Sequence, residues 1–221
     1  MSDFERPPSL SSVVTDHIRT MIIRGDVPLG AAISERGISA DLKVSKTPVR
    51  EALAQLRNEG LVTIVPQSGV KVFTLSAREV REICAFRKVL EAAALELSMT
   101  IDPVGLLRDL EAIEARMRGA LAEGDVRGYL GLDTDFHLAF FAHCANTYLQ
   151  NAYGLYAGKI AALRTHLAVK PQHTQMSMAE HGEIVIAVRG RDLGSVLAIL
   201  GAHIGRTQGT YEIGIEDISV A

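Results

Sequence analysis

Several residue types are scarce in this 221-residue sequence, which has no tryptophan, two cysteines and only 5% aromatic residues. Two cysteines are too few for the disulfide framework of a small secreted domain, so we expect Cys84 and Cys144 to be reduced thiols in apolar helices. No apolar run reaches the ~18 residues that a membrane span requires, and the N-terminus lacks the basic-then-apolar pattern of a signal peptide. These absences predict a soluble cytoplasmic protein with no membrane partner.

Charge and histidine are unevenly distributed along the chain. Hydrophobic residues make up 48% of the sequence and the formal net charge is −3, which excludes a disordered chain and argues against a uniformly basic nucleic-acid-binding protein. Residues 1–76 sum to +1 and residues 77–221 to −4, and only His17 precedes residue 77. Because both shifts fall at the same place, we expect two domains, 1–76 and 77–221.

The first domain is predicted to contain three helices followed by a β-hairpin. Apolar residues recur at helical spacing from Val13 to Ile22, and Ser34 is placed to cap a second, short helix. A third helix begins near Pro48 and ends at Gly60. Two β-rich runs then flank a Pro-Gln-Ser-Gly turn. This order of elements is that of a winged helix-turn-helix.

The third helix carries cations on one face. Lys46, Arg50 and Arg57 recur at intervals of four and seven, and the free amides and hydroxyls of the first turn lie beside them. Such a surface can contact phosphates and base edges in the major groove of DNA. The alternative is a small helical domain whose charges are merely solvated. Because the cations lie beside the free amides and hydroxyls of the first helical turn, we favour DNA binding over a solvated surface.

Three segments of this domain resemble the winged-helix signature of GntR-type bacterial transcription regulators. They are residues 33–36, residues 44–53, which contain the specific Thr-Pro-Val-Arg-Glu-Ala-Leu core, and residues 59–62. Lysine stands at position 46, where the family usually has arginine, so a point-charge contact is expected there rather than a bidentate one. The resemblance implies that the DNA contacts are Arg36, Ser45, Lys46, Thr47, Arg50 and Gly69.

The second domain is predicted to be an all-α bundle. Apolar spacing is helical almost throughout, and the interruptions contain glycine, proline, aspartate or asparagine. The whole chain is therefore expected to be mainly α, with about six helices after the winged helix. The predicted helices are 76–99, 103–122, 125–145, 147–169, 174–189 and 192–213.

Four residues of this bundle are candidate metal ligands. Asp133 and His137 are four residues apart and share one face of a helix. His181 and His203 lie at similar distances on either side of a predicted turn, so an antiparallel helix pair places them at similar heights. Together they can bind one divalent cation. An intrahelical contact and ordinary core histidines remain an equal alternative, and the other histidines of this domain lack that alignment.

The same domain resembles the FCD ligand-binding domain of the FadR subfamily, through residues 133–137, 146, 180–184 and 202–203. The resemblance implies that Asp133, His137, His181 and His203 hold a divalent ion, often zinc or nickel, whose open positions help to bind a small carboxylate effector. By the same resemblance Arg87 clamps that carboxylate, with a solvated arginine as the alternative. Asn146 is expected to cap a helix, with an effector contact as the second interpretation.

We therefore expect a ligand-responsive transcription regulator that binds a pseudo-palindromic DNA operator as a homodimer. One alternative is a regulator for which the metal ion itself is the signal. Another is a metalloenzyme with an appended winged helix. Neither a His-Glu-x-x-His motif nor a phosphate-binding glycine loop occurs in the sequence, so we do not expect an enzyme.

Overall fold

The structure is a computed structural model that describes residues 9–65, 69–168 and 170–220, with the backbone alone for 217–220. The chain divides into two compact units, Met1–Thr74 and Leu75–Ala221. Within the described residues, no helix combines the length and the apolar composition needed to cross a bilayer.

The first unit is the expected winged helix-turn-helix, with one strand that the sequence analysis missed. A two-residue strand, β1, follows the first helix and pairs with the second strand of the hairpin, giving the sheet order β1-β3-β2. The hairpin register pairs Val62 with Val72 and Val65 with Gly69; its expected turn at 66–68 lies outside the described residues. The elements are α1 (Leu10–Ile23), β1 (Ala32–Ile33), α2 (Glu35–Asp41), α3 (Lys46–Asn58), β2 (Val62–Val65) and β3 (Gly69–Val72).

Helix α3 is held against α1 by apolar packing and by an ion pair. Ile18 and Leu56 are buried, and both lie on the inward faces of their helices. Beside them, Arg19 donates from Nη2 to Glu59 Oε1 at 2.7 Å and from Nε to Oε2 at 2.9 Å. This bidentate pair fixes α3 relative to α1. The N-terminal end of α3 remains exposed.

The second unit contains six helices among its described residues, as the sequence predicts. Their starts follow the expected capping chemistry: Ser76 and Glu79 form a capping box, and Asp102 and Asp125 accept from first-turn amides. The last two helices begin or end several residues away from the predicted limits. The bounds are α4 (Ala77–Ile101), α5 (Pro103–Ala122), α6 (Val126–His143), α7 (Thr147–Leu167), α8 (Pro171–Arg189) and α9 (Leu193–Val220).

The core of this bundle contains a group of polar side chains. Most of the buried residues are aliphatic or aromatic, but α4, α6, α7, α8 and α9 each contribute ionisable groups that solvent does not reach. Groups of this kind are costly to bury unless they are paired or bind a ligand. They are Arg87, Glu91, Asp133, His137, Arg164, His181 and His203.

Candidate metal centre and DNA-binding surface

Three of the predicted ligands form a buried histidine triad. His137 lies on α6, His181 on α8 and His203 on α9, and each side chain offers a ligand nitrogen within 4.8 Å of the other two. The residues are 0%, 0% and 2% exposed. The three histidines predicted from the helical spacing therefore lie close together. Their separation allows one ion to contact all three imidazoles.

The ring nitrogens of the triad have few partners within the protein. His137 Nδ1 lies 2.7 Å from Glu91 Oε2, and His203 Nδ1 lies 2.6 Å from Glu180 Oε2. His137 Nε2 and both nitrogens of His181 are buried and have no hydrogen-bond partner among the described residues. Buried polar atoms without a partner are rare, and carboxylates on the opposite ring nitrogen are typical of metal-binding histidines. The donor set therefore fits a metal ion.

Two imidazoles of the triad, those of His137 and His181, are neutral at neutral pH. Burial lowers the pKa of His137 to about 4, although Glu91 opposes the shift. Burial likewise holds the pKa of His181 well below its usual value. Neutral imidazole is the form that binds a metal. The site is thus ready to accept a cation without first releasing protons from these two residues.

Asp133, the fourth predicted ligand, lies beside the triad but is already ion-paired. Its Oδ2 is 2.6 Å from Arg164 Nε, and its Oδ1 is 3.6 Å from His181 Nε2. Although burial favours the neutral acid, Arg164 and the histidines keep the pKa of Asp133 well below its usual range. Asp133 is therefore a carboxylate whose Oδ1 faces the triad, and Arg164 is a partner that the sequence analysis missed.

Next to the triad is a narrow cavity of about 10 Å³, which is room for about one water molecule. Three buried atoms of its lining residues have no hydrogen-bond partner in the part of the chain that the structure describes: Arg164 Nη2, Thr207 Oγ1 and Tyr211 OH. All three can donate hydrogen bonds. The cavity is lined by Tyr129, Leu130, Asp133, Arg164, Ala168, His173, Ser177, His203, Thr207 and Tyr211.

The two predicted effector contacts differ in their surroundings. Arg87 is 1% exposed, so it is not a solvated arginine. Its Nε donates to Glu91 Oε1 at 2.8 Å, while Nη1 and Nη2 have no hydrogen-bond partner among the residues that the structure describes. Asn146 is the N-cap of α7, where its Oδ1 accepts from the amides of residues 148 and 149 at 3.1 Å each. It is not among the residues that line the cavity.

The sequence analysis missed several polar residues of this region. Glu91 and Glu180 contact the triad, and His173, which was set aside, lines the cavity. Arg206 Nη1 donates to His173 Nδ1 at 2.9 Å, and burial together with Arg206 lowers the pKa of His173 to about 4. Glu91 could have been predicted as a partner of Arg87, because residues four apart share one face of a helix.

The predicted DNA-contact residues lie on the surface of the first unit. Ser45, Lys46 and Thr47 are exposed at the start of α3, and Arg50 follows one turn later. Ser45 makes no side-chain capping hydrogen bond, so its hydroxyl and the first-turn amides are available to an anion. Arg36 on α2 is also exposed. Gly69 begins β3 with a φ of +82°, and no atom of the described residues lies within 4 Å of the position that a Cβ would take.

One contact of this surface was not expected. Arg50 Nε donates to Glu35 Oε2 at 3.0 Å, and the two side chains are 66% and 34% exposed. Glu35 is the first residue of α2. A carboxylate therefore lies among the cations of the predicted DNA-binding surface.

Comparison with known proteins gives two family matches. The profile of the FCD domain matches residues 82–206, and that of bacterial regulatory proteins of the gntR family matches residues 10–72. A helix-turn-helix transcriptional regulator of the TAR-I ttuE-ttuC' intergenic region in Agrobacterium vitis is 40% identical over 134 residues, 58% of this chain and 76% of that protein. The gluconate operon transcriptional repressor of Bacillus subtilis is 24% identical over 90% of this chain and 84% of its own length.

Solved structures show the same fold at low sequence identity. A GntR transcriptional regulator from Rhodococcus sp. RHA1 superposes with a TM-score of 0.83 at 22% identity, over 92% of this chain and 98% of that structure. McbR/YncC of E. coli gives a TM-score of 0.79 at 20% identity, over 90% and 95% of the two chains.

Proposed function

The chain belongs to the GntR family of bacterial regulatory proteins and carries an FCD domain, and on that premise we propose that a small carboxylate, bound beside a divalent metal, controls its affinity for an operator. The protein is a DNA-binding transcription regulator with a ligand-binding domain, and its relatives are transcriptional regulators. The proposal of a metal ion and a carboxylate effector rests on the buried histidine triad, in which His137 Nε2 and both nitrogens of His181 have no hydrogen-bond partner among the described residues.

The predicted domain of residues 1–76, which includes the first unit, is the proposed DNA-binding domain. The start of α3 enters the major groove, where Ser45, Lys46 and Thr47 contact phosphates and Arg50 contacts base edges. Arg36 and Gly69 contact the flanking backbone. Regulators of this family typically act as dimers, so two such units bind half-sites of a pseudo-palindrome about one helical turn apart, roughly 34 Å.

The predicted domain of residues 77–221, which lies within the second unit, is the proposed sensor. His137, His181 and His203 supply three nitrogen ligands and Asp133 an oxygen ligand. Imidazole-rich sets of this kind suit zinc and nickel. When bound, the ion supplies a Lewis-acid position for a carboxylate oxygen.

The charges in the core favour an anionic effector. The positive charges of Arg87 and Arg164 are balanced by the carboxylates of Glu91 and Asp133. A divalent cation adds two positive charges to this buried region, and an anion is then needed to compensate them. Arg164 and Tyr211 line the cavity, and each has a hydrogen-bond donor without a partner among the described residues. Nη1 and Nη2 of Arg87 also lack such a partner and can bind a carboxylate.

Effector binding requires the helices to move. The cavity has room for about one water molecule, so an organic acid fits only if α9 or α8 shifts. A ligand that favours such a shifted state changes its population. We propose that the shift alters the spacing of the two DNA-binding domains in the dimer, and operator DNA must then change effector affinity by the same factor.

The small cavity also favours a second candidate function, in which the metal ion is itself the signal. A bare ion needs only the space between the three imidazoles, which the structure already provides. In that case loading of the triad alone would change operator affinity.

Operator titrations at fixed salt distinguish these functions. The metal-loaded protein is compared with chelator-treated protein, with and without a panel of organic acids. We expect at least one acid to shift operator affinity of the loaded protein and to have no effect after chelation. If chelation alone changes operator affinity and no acid does, the ion is the signal. If the isolated protein binds no metal at the triad, both candidate functions are wrong.

A further inference from the structure

A single buried carboxylate joins the histidine triad to the arginine of the proposed effector site. Glu91 is 0% exposed, and it accepts three hydrogen bonds. Arg87 Nε donates to Oε1 at 2.8 Å, the Tyr153 hydroxyl donates to Oε1 at 2.9 Å, and His137 Nδ1 lies 2.7 Å from Oε2. Arg87 is thus the principal partner of Glu91 Oε1, and His137 is the principal partner of Oε2.

Both principal partners have free buried ends on the side away from Glu91. Within the described residues, His137 Nε2 has no hydrogen-bond partner, and neither Nη1 nor Nη2 of Arg87 has one. Buried polar atoms are normally satisfied within the protein. Here His137 Nε2 would face the metal cation, and Nη1 and Nη2 of Arg87 would face the carboxylate anion.

The charge of Glu91 determines which nitrogen of His137 is free. An ionised carboxylate only accepts hydrogen bonds, so the proton of the neutral imidazole must be on Nδ1. The lone pair of Nε2 is then available to a metal. For Arg87, the bond from Nε fixes the plane of the guanidinium and leaves the Nη1–Nη2 edge for a bidentate contact.

We propose that Glu91 is a positioning residue that fixes both the metal-binding tautomer of His137 and the orientation of Arg87, and so couples the metal site to the anion site. This inference rests on the proposed function of the triad. Arg87 and Glu91 are one turn apart on α4, so a shift of that helix moves both contacts together. Glu91 is expected to touch neither ligand.

The tautomer of His137 in the metal-free wild-type protein is the first test. Long-range ¹H–¹⁵N correlation NMR distinguishes a protonated Nδ1 from a protonated Nε2. We expect His137 to carry its proton on Nδ1 throughout the population. A proton on Nε2, or rapid exchange between the two tautomers, would overturn the proposal, and this measurement depends on neither a variant nor a bound metal.

The second test compares the metal affinity of Glu91→Gln with that of the wild type, using Zn²⁺ and Ni²⁺ alone in competition with a chromophoric chelator. Glutamine offers one acceptor oxygen and one NH₂ donor, so Arg87 or His137 must lose its acceptor. We expect metal affinity to fall about 10- to 100-fold, as for other residues that orient metal-bound histidines. Glu96→Gln, an exposed position on the same helix, is the matched control and should bind like the wild type.

The two proposals fail in different ways. If the wild type binds neither Zn²⁺ nor Ni²⁺ at the triad, the proposed function is wrong. The tautomer of His137 in the metal-free protein then still tests whether Glu91 positions that residue. If the wild type binds metal and a folded Glu91→Gln binds it equally tightly, Glu91 does not position His137. If Glu91→Gln does not fold, the wild-type tautomer decides.

Discussion

Asp133 divides its carboxylate between Arg164 and the histidine triad, with Oδ2 2.6 Å from Arg164 Nε and Oδ1 3.6 Å from His181 Nε2. The ion pair keeps the carboxylate charged in a site that would otherwise favour the neutral acid. It also leaves one oxygen available to a metal. Asp133 can therefore stabilise the fold and ligate an ion at the same time.

Asp133→Asn should affect both stability and metal binding. The amide leaves the buried Arg164 guanidinium without a charge partner, which costs about 3 kcal/mol. It also weakens the oxygen ligand, so metal affinity should fall about 10-fold or more. Denaturant unfolding of the metal-free protein and chelator competition measure the two effects. Asp135→Asn, an exposed position on the same helix, is the control; equal behaviour of the two variants would show that Asp133 has neither role.

His181→Ala should lose bound metal and the response to effector while the bundle stays folded. Both ring nitrogens of His181 lack hydrogen-bond partners, so the truncation removes a metal ligand without breaking a hydrogen bond. Elemental analysis of the purified protein gives the metal content, and circular dichroism monitors the fold. His17→Ala, at an exposed position of the first unit, should keep its metal. Undiminished metal in His181→Ala would exclude this residue from the ligand set.

Arg50→Ala should abolish specific operator binding and leave the second unit folded. A bidentate arginine contact to a base contributes about 1–3 kcal/mol of discrimination, roughly 5- to 150-fold in affinity. Gel-shift titration at fixed salt measures the loss. Arg57→Ala, which removes an exposed arginine from the last turn of the same helix, should cost less. The assignment of α3 is wrong if Arg50→Ala binds with wild-type affinity.

Glu35→Gln should change specific and non-specific DNA binding in opposite directions. Loss of a negative charge strengthens binding to any DNA, but a neutral amide oxygen holds Arg50 Nε less tightly than a carboxylate does, so the guanidinium that is proposed to contact bases is positioned less firmly. We expect lower operator affinity and higher affinity for unrelated DNA. Glu51→Gln, next to Arg50 and without an ion pair among the described residues, should strengthen both. A parallel rise in both affinities for Glu35→Gln would mean that Glu35 does not position Arg50.

The metal-free protein should lose stability as the pH falls from 6.5 to 4, partly because of His173. Its pKa is about 4 in the folded protein, below the ordinary value of 6.5, so only the unfolded chain takes up a proton in this range. One such proton lowers the free energy of unfolding by at most about 1.4 kcal/mol per pH unit, and partial exposure reduces this.

Unfolding of His173→Gln in denaturant across this pH range checks the prediction. The glutamine variant should show a shallower decrease in stability than the wild type, since it cannot take up the proton. His17→Gln should retain the wild-type slope. Identical slopes for His173→Gln and the wild type would contradict the shifted pKa.

Sequence patterns predicted the winged helix, the bundle and the histidine triad because each depends on spacing within one or two helices. His181 and His203 could be placed at similar heights from the turn between them. Arg164 and Glu180 could not be found in this way, since their contacts depend on how separate helices pack. The two-residue strand β1 was missed because so short a segment has no periodicity, and the pairing with β3 defines it.

Helix α9 presents His203, Thr207 and Tyr211 at intervals of four residues, on one face of the helix. At 1.5 Å per residue, the imidazole and the phenol hydroxyl arise from positions about 12 Å apart along the axis. The side chains of all three residues nevertheless line the same small cavity, so they converge from different turns of the helix. A shift of α9 would therefore move a proposed metal ligand and two donors of the cavity together.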